Sequence, residues 1–392
     1  MEKTLQNSSR IEVVDALRGF AVMAILLLHN IEHFIFPVYP TDSPSWLAAL
    51  DNSVCNVTFA LFSGKTYAIF SLLFGFTFYL QFEKMHRNNI DFGYRFLWRL
   101  LGLALLATLN AAFFPGGDVL MLYVVVGLVL FIVRKWSNKA ILATAICCTL
   151  QPMEWLYYAT TLIDPTFQLP DYGVGAMYDT IAEVCKAGNW GDFLWCNVTL
   201  GQFASFMWAV GAGRPFQTAG LFLFGLYIGR QQLFVYNEKN IQFWTRTLIA
   251  GAILYVPLMT LHNMMMEATP LAQQTVGIVF DMWHKLAFTA VLIASFVLLY
   301  QNRGFQSWIS PLRSYGRMSL TNYITQSMLG ALIYLPVGLY LAPYCGYSVS
   351  LLIGIVTLCG QLAFCKWWMK GHKQGPLEQL WYKWTWGVKS TK

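Results

Sequence analysis

The sequence predicts an all-α membrane protein with about ten transmembrane helices, both termini in the cytoplasm and a polar cavity between the helices. Three observations lead to this fold class: 57% of the 392 residues are hydrophobic, only 11% are charged, and long apolar segments recur along the whole chain. A soluble domain has about 25% charged residues. The composition therefore excludes the soluble globular enzymes before any motif is considered.

Each predicted span has roughly 20 mostly apolar residues, the number that an α-helix needs to cross a bilayer. The spans are 19–37, 57–82, 96–114, 119–133, 140–159, 208–229, 244–262, 283–300, 317–339 and 348–369. Residues 1–160 hold the first five spans and residues 201–392 the last five, and we expect both halves to form one structural unit. Residues 161–200 are expected to be extracytoplasmic, and the sequence leaves open whether Cys185 and Cys196 form a disulfide there.

Lysine and arginine residues determine the predicted orientation. With the N-terminus inside, 22 of the 26 fall in cytoplasmic segments, as the positive-inside rule requires. The exceptions are Lys65, Lys186, Arg214 and Lys285. The net charge of +7 is therefore explained by membrane topology, and we expect a lipid bilayer and no nucleic acid as the partner.

Four predicted spans carry an ionisable side chain in their outer part: His29, Lys65, Arg214 and His284. Such a group costs about 2.5–3.5 kcal/mol or more at the bilayer centre, so it usually faces a cavity and serves a function. We expect Lys65, Arg214 and His284 to bind a substrate there. The alternative, favoured for Lys285 and open for Lys65, is that the long side chains extend to the outer headgroups.

The end of the first span contains His29, Glu32 and His33, which share one face if the helix continues through them. One interpretation is a histidine–carboxylate pair that works as a general base. The other is the H-x-x-E-H pattern of a metal-dependent hydrolase. Its third ligand would come from His262, Glu267, Asp281 or His284. We favour the first interpretation and expect no metal.

Polar residues also mark the cytoplasmic side. Asp15 and Arg18 open the first span, and Arg317 opens the ninth, which carries Asn322 and Gln326 on a polar stripe. Arginines at a cytoplasmic mouth can bind phosphate, and the stripe can line a path into the membrane. The alternatives are an anchoring arginine with a carboxylate on the helix dipole, and a helix–helix seam.

Several motifs together resemble the YeiB family, also called domain of unknown function 418. RIEVVDALRGFA (residues 10–21) resembles its first-helix signature R-x-x-x-x-D-x-x-R-G, and GKTYAIFSLLFGF (64–76) resembles its second-helix motif. LFGLYIGR (223–230), GRMSLTNYITQS (316–327) and GPLE (375–378) are similar to its C-terminal motifs. The resemblance covers nearly the whole chain.

This resemblance implies more distant kinship with the transmembrane acyltransferases, which include heparan-alpha-glucosaminide N-acetyltransferase. It implies a protein of the bacterial cytoplasmic (inner) membrane that moves an acyl group from cytoplasmic acyl-CoA, such as acetyl-CoA, to an extracytoplasmic, sugar-type acceptor. His29 matches the catalytic histidine. Asp15, Arg18 and Arg317 would then hold the donor, whose acyl arm runs past Asn322 and Gln326.

Two other functions stay open at this point: a transporter or flippase of an anionic amphiphile, and an intramembrane metal-dependent hydrolase. The absence of an evident inverted repeat or of broken helix pairs weakens the transporter hypothesis. The sequence leaves the oligomeric state open, a homodimer included.

Overall fold

A computed structural model describes residues 11–387 except 115, 117 and 165. This part of the chain is mostly helical and has no strand in it, which confirms the all-α fold class. The α-helices are α1 Glu12–Ile31, α2 Ser45–Phe62, α3 Lys65–His86, α4 Gly93–Phe113, α5 Leu120–Val133, α6 Asn138–Thr149, α7 Pro152–Ile163, α8 Val174–Ala187, α9 Trp190–Cys196, α10 Gln202–Gly211, α11 Arg214–Arg230, α12 Glu238–Met266, α13 Pro270–Gln274, α14 Val276–Leu299, α15 Arg303–Trp308, α16 Ser310–Arg317, α17 Ser319–Tyr334, α18 Tyr347–Trp368 and α19 Pro376–Trp386.

Seven helical segments of the described chain are long and apolar enough to cross a membrane: α1, α2 with α3, α4, α9 with α10, α12, α14 and α18. Helices α5 and α6 are apolar but shorter. The chain is therefore a polytopic membrane protein, while the number of ten spans and the orientation remain predictions. Lys3, Arg10, Lys389 and Lys392, which entered the charge count, lie outside the described residues. Cys185 and Cys196 are free thiols.

The second, fifth and sixth predicted spans are each broken into two helices, so the prediction of continuous helices was wrong there. The breaks fall at Gly64, Gln151 and Gly213, whose φ angles are 74°, 55° and 64°. A residue in the left-handed region ends a helix, and a proline in the next first turn, as at Pro152 and Pro215, favours a new one. The apolar composition continues across each break, which is why hydropathy alone misses it.

Helix α1 ends at Ile31, six residues before the predicted end of the first span. His33, Phe34 and Ile35 follow with φ angles of 48°, 54° and 62°. Left-handed backbone is unfavourable for bulky and β-branched residues, so surrounding contacts must hold this turn. The prediction that His29, Glu32 and His33 share a helical face was therefore wrong.

Two helix pairs cross at backbone contact. Gly75 of α3 lies against the Phe222 carbonyl of α11, and Gly225 of α11 lies against the Leu72 carbonyl of α3. Helices α1 and α16 meet in the same way through Gly19 and Gly316. Small residues allow membrane helices to approach this closely. These crossings hold α3 directly against α11, and α1 directly against α16.

Glu378 of α19 binds the start of α17. Its carboxylate accepts hydrogen bonds from the backbone N–H groups of Leu320 and Thr321, at 2.7 and 3.1 Å, and from the Thr321 hydroxyl, at 2.6 Å. Replacing Glu378 with alanine leaves these donors without an acceptor, which costs about 1–3 kcal/mol. We expect a lower midpoint of thermal unfolding for Glu378→Ala in nanodiscs. Glu83→Ala, which removes only a surface pair with Arg87, serves as the control; equal midpoints for the two variants would contradict this role.

Candidate functional site

A cavity of about 720 Å³ lies among the C-terminal part of α3, the end of α16, the start of α17, the first half of α4, and α19. Its wall combines cationic, aromatic and aliphatic side chains. The lining includes Arg18, Thr77, Lys84, Arg95, Arg99, Tyr123, Arg317, Glu378, Trp381 and Trp386. By the predicted orientation this end of the helices faces the cytoplasm.

The charge of the cavity wall is strongly positive. Four arginines and Lys84 line it, and Glu378, the acidic residue among the lining side chains, is engaged by the start of α17. The Arg99 guanidinium lies 3.4 Å from the centre of the Trp381 ring, and Arg95 lies 5.0 Å from that of Trp386. Stacking of this kind holds a guanidinium in place while its edge stays available to an anion.

Asp15 and Arg18 act together at the cavity. One Arg18 nitrogen donates to the Asp15 carboxylate at 3.0 Å, and the other donates to the Thr77 hydroxyl, also at 3.0 Å. Arg18 and Arg317 both line the cavity, and Arg317 also donates to the carbonyl of Lys373 at 2.7 Å. Asp15 is buried behind Arg18 and orients it, and it is not part of the cavity wall.

The polar stripe of α17 is placed differently from the prediction. The Asn322 amide donates to the Tyr315 carbonyl at 3.0 Å and lies 3.3 Å from the Cys365 sulfur, so it joins α17 to α16 and α18. Gln326 is fully buried, and neither polar atom of its side chain has a hydrogen-bond partner among the described residues. Neither side chain lines the cavity. Asn322 therefore matches the seam interpretation, and a contact between Gln326 and a donor stays a prediction.

His29 and Glu32 form a histidine–carboxylate pair at the C-terminal end of α1. The Nδ1 atom of His29 lies 3.0 Å from the Glu32 carboxylate, and the two side chains are 17% and 27% exposed. The ring also packs against Phe114 and Phe34, with centroids 4.8 and 5.8 Å away. A carboxylate on Nδ1 fixes the proton there and leaves Nε2 as the basic nitrogen, which is the arrangement of a general base.

His33 is not part of this pair. Its Nδ1 lies 2.8 Å from the Val38 carbonyl and its Nε2 lies 2.7 Å from the Ser350 hydroxyl, while the ring stacks on Tyr334. The side chain is completely buried. Because both ring nitrogens have partners and the left-handed turn separates His33 from His29, the prediction that His33 assists His29 is wrong, and so is the H-x-x-E-H metal site.

The predicted outer layer separates into different places. Lys65 lies over the Phe288 ring of α14 at 5.6 Å, and the preceding Gly64 lies against the stem of Lys285. His284 lies on the same helix. Arg214 donates to Gln217 at 2.7 Å and lies 5.0 Å from the Tyr67 ring. None of the contacts described above for His29 joins it to Lys65, Arg214 or His284. A single substrate site made of all four side chains stays a prediction.

Hydroxyl groups lead from the cavity towards Arg214. Tyr123, which lines the cavity, lies 2.6 Å from the Ser71 hydroxyl, and Ser71 donates to the Tyr67 carbonyl at 2.9 Å. The Tyr67 hydroxyl in turn pairs with Thr218 of α11. Hydrogen-bonded hydroxyl groups thus join α3, α5 and α11 between the cavity and Arg214, whereas a polar path through the membrane stays a prediction.

Sequence reasoning missed three cavity residues, Lys84, Arg95 and Arg99, because it assigned them to topology alone. The spacing was informative in retrospect: Arg95 and Arg99 lie four residues apart, so they share a face of α4. A purely topological role requires only that such residues lie at the end of a span.

The described chain is similar to proteins of one family. Residues 228–388 match the family model described as protein of unknown function (DUF418). The chain is 26% identical to YxaH of Bacillus subtilis (strain 168), over 97% of this chain and 95% of that protein. It is 26% identical to YeiB of Escherichia coli (strain K12), over 94% of each chain. No solved structure matches. The resemblance to the YeiB family is thereby confirmed.

Proposed function

We propose that this chain, which carries a DUF418 domain and is related to YeiB along nearly its whole length, is a membrane-bound acyltransferase. The donor is cytoplasmic acyl-CoA, with acetyl-CoA as the first candidate, and the acceptor is a sugar-type molecule on the opposite side of the membrane. The observation that carries the proposal is the cationic, aromatic-walled cavity at the inner helix ends. Membership of the transmembrane acyltransferase superfamily is part of this proposal.

The chemistry of the cavity suits the nucleotide end of coenzyme A. That end carries a diphosphate, a ribose phosphate and an adenine ring. Arginine recognises phosphate oxygens through paired N–H donors, and Arg18, Arg99 and Arg317 supply these from three helical elements. Trp381 and Trp386 supply flat apolar surface for a base. Asp15 and Thr77 hold Arg18 before a ligand arrives, which lowers the entropic cost of binding.

His29 is the proposed general base. It lies eleven residues beyond Arg18 on α1, a rise of roughly 16 Å, which the extended pantetheine arm of a donor held at Arg18 can cover. Nε2 of His29 takes the proton of the acceptor hydroxyl or amine as that atom attacks the thioester carbonyl. The C–S bond then breaks, and the leaving CoA thiolate receives the proton. Glu32 holds the imidazole and stabilises the cation that forms.

The outer cations have a supporting role in this proposal. Arg214 is partly buried at the start of α11, and Lys65 occupies the same place on α3. Because the breaks at Gly213 and Gly64 expose the first N–H groups of these helices, each start favours an oxygen-rich or anionic group. We assign them to orienting the acceptor, with His284 at the neighbouring helix.

The test is binding of CoA to the purified full-length protein in nanodiscs, measured by isothermal titration calorimetry. We expect the wild type to bind, and the variant Arg18→Gln with Arg317→Gln to bind at least about 100-fold more weakly, because each charge-assisted hydrogen bond contributes about 1.5–3 kcal/mol. Arg87→Gln is the matched control, since Arg87 is exposed at the same end of α3 and does not line the cavity. Absence of CoA binding by the wild type, or equal binding by the double variant, would remove the basis of the proposal.

One observation favours a transporter or flippase as the second candidate. Helices are broken at equivalent places before Lys65 and Arg214, and broken helices in corresponding positions of two halves are typical of transporter sites. Proteoliposome flux of a labelled anionic lipid separates the two functions. Flux without CoA binding supports transport, whereas CoA binding with acetyl-CoA turnover supports the acyltransferase.

A further inference from the structure

Two histidines and an aspartate converge near the end of the α12–α14 hairpin that the charge pattern places outside. They are His262 on α12, four residues before that helix ends, and Asp281 and His284 on α14. One ligand atom from each of the three lies within 4.8 Å of the others. The His262 and His284 rings are 5.1 Å apart, and Nε2 of His262 is 3.9 Å from the Asp281 carboxylate.

Both histidines are held in the tautomer that a metal requires. The Nδ1 atom of His262 lies 3.3 Å from the Gly277 carbonyl, and that of His284 lies 3.0 Å from the Phe280 carbonyl. A carbonyl oxygen can only accept a hydrogen bond, so each Nδ1 carries the proton and each Nε2 keeps its lone pair. Metal-binding histidines typically donate their second ring nitrogen to a backbone carbonyl or a carboxylate in this way.

We propose that His262, Asp281 and His284 bind a divalent transition-metal cation, with Zn²⁺ as the first candidate. Two imidazole nitrogens and one carboxylate oxygen form a donor set that zinc accepts, and three protein ligands leave a fourth position for water or a substrate oxygen. Ligand atoms of a tetrahedral zinc site lie about 3.3 Å apart, given bonds of about 2.0–2.1 Å. The three side chains therefore need to move inward by about 1 Å.

Lys285 makes this proposal sharply testable. Its ammonium lies 2.6 Å from the Asp281 carboxylate, one helical turn away on the same helix, and forms an ion pair with it. Lys65 of α3 brings a second cation to the same region. Since the Lys285 ammonium competes with a metal for the same carboxylate, metal binding must weaken this ion pair. Removing the ammonium while keeping the ligands should therefore strengthen metal binding.

The sequence contained a signal for this site in the spacing Asp281-x-x-His284, which puts both side chains on one helical face. This proposal departs from the expectation that the protein binds no metal, which was drawn from the His29–His33 pattern, where His33 is engaged elsewhere. The third ligand became visible only with the antiparallel packing of α12 on α14. His262 and Asp281 are 20% and 27% exposed, so a cation can reach them.

The experiment uses full-length protein in nanodiscs, first treated with a chelator and then titrated with Zn²⁺ by calorimetry and with Co²⁺ by visible absorption. We expect one cation per chain and Co²⁺ bands of a four- or five-coordinate site. His262→Ala and His284→Ala should each weaken Zn²⁺ binding at least about 100-fold. Removing even a residue that only hydrogen-bonds to a metal ligand lowers metal affinity about 10–100-fold. Lys285→Gln should tighten it about tenfold, and His86→Ala, an exposed histidine at the other end of α3, should leave it unchanged.

Three results would overturn the proposal: no stoichiometric binding by the wild type, binding that survives loss of both histidines, or binding that follows His86 rather than His262. Lys285→Gln retains all three ligands, so it keeps the test decisive if a histidine variant fails to fold. The proposal is independent of the acyl donor, because CoA binding at the inner cavity should be the same with and without Zn²⁺. Failure of the metal test therefore leaves the CoA test unaffected.

Discussion

Gly75→Ala is expected to destabilise the chain by about 3 kcal/mol or to prevent folding into the membrane. A Cβ atom at Gly75 would overlap the carbonyl oxygen of Phe222, and the obstacle is backbone of α11 rather than a side chain that can rotate away. Overpacking a tight contact typically costs 1–3 kcal/mol, and more when backbone must move. The measurement is the yield of monodisperse protein and its thermal unfolding midpoint in nanodiscs.

Gly360→Ala on α18 is the matched control, because a Cβ atom there meets nothing within 4 Å. Alanine in a helix interior is favoured over glycine by roughly 0.5–1 kcal/mol, so this variant should be as stable as the wild type or slightly more stable. Gly225→Ala, on the opposite side of the same crossing, should behave like Gly75→Ala. If Gly75→Ala and Gly360→Ala had the same thermal unfolding midpoint, α3 and α11 would not cross at backbone contact.

His29→Gln is expected to lower acetyl transfer by about 10²–10⁴-fold, the usual contribution of a positioned general base. The substitution keeps a hydrogen-bonding side chain of similar length but removes the titratable nitrogen. The affinity for CoA should stay unchanged, because Arg18 in the cavity is separated from His29 by about half the length of α1. Release of CoA from labelled acetyl-CoA, with and without added monosaccharide acceptors, gives the rate.

Glu32→Gln tests the partner of the base. It should reduce the same rate by less than His29→Gln, and the two effects should not add, since both act on one proton transfer. His86→Gln, far from the pair, is the control. If His29→Gln and His86→Gln proteins released CoA at equal rates, His29 would not be the base and the proposed chemistry would need another residue.

Composition and charge spacing were sufficient to predict the fold class, because lipid requires apolar side chains and the cytoplasmic side attracts lysine and arginine. The helix breaks could not be predicted in this way. Gln151 adopts a left-handed conformation inside an apolar stretch, and tertiary contacts rather than local composition select that conformation. The same limit applies to His33, whose turn depends on Val38 and Ser350, and Ser350 is more than 300 residues away in sequence.

The sequence was sufficient to identify neighbouring polar residues within one helical turn or at one end of a span. Asp15 with Arg18, and His29 with Glu32, are neighbours three residues apart, and both pairs are formed. Assignments that needed the packing of several helices were less successful. Asn322 could face a cavity or a seam with the same sequence, and only the positions of Tyr315 and Cys365 decide for the seam.

The contact between α3 and α11 has a mechanical consequence. Tyr67 meets Thr218 near the start of the two helices, and Tyr79 meets Gly229 near their inner ends, so they run side by side in the same direction. Helix α3 has 22 residues and a length of roughly 33 Å, about the thickness of the hydrocarbon layer. This continuous helix joins the two halves of the chain and keeps Lys65 at a constant distance from Lys84. A rocking motion of one half of the chain against the other would have to separate α3 from α11. A substrate with a long flexible arm, in contrast, can span the same distance without any movement of the protein.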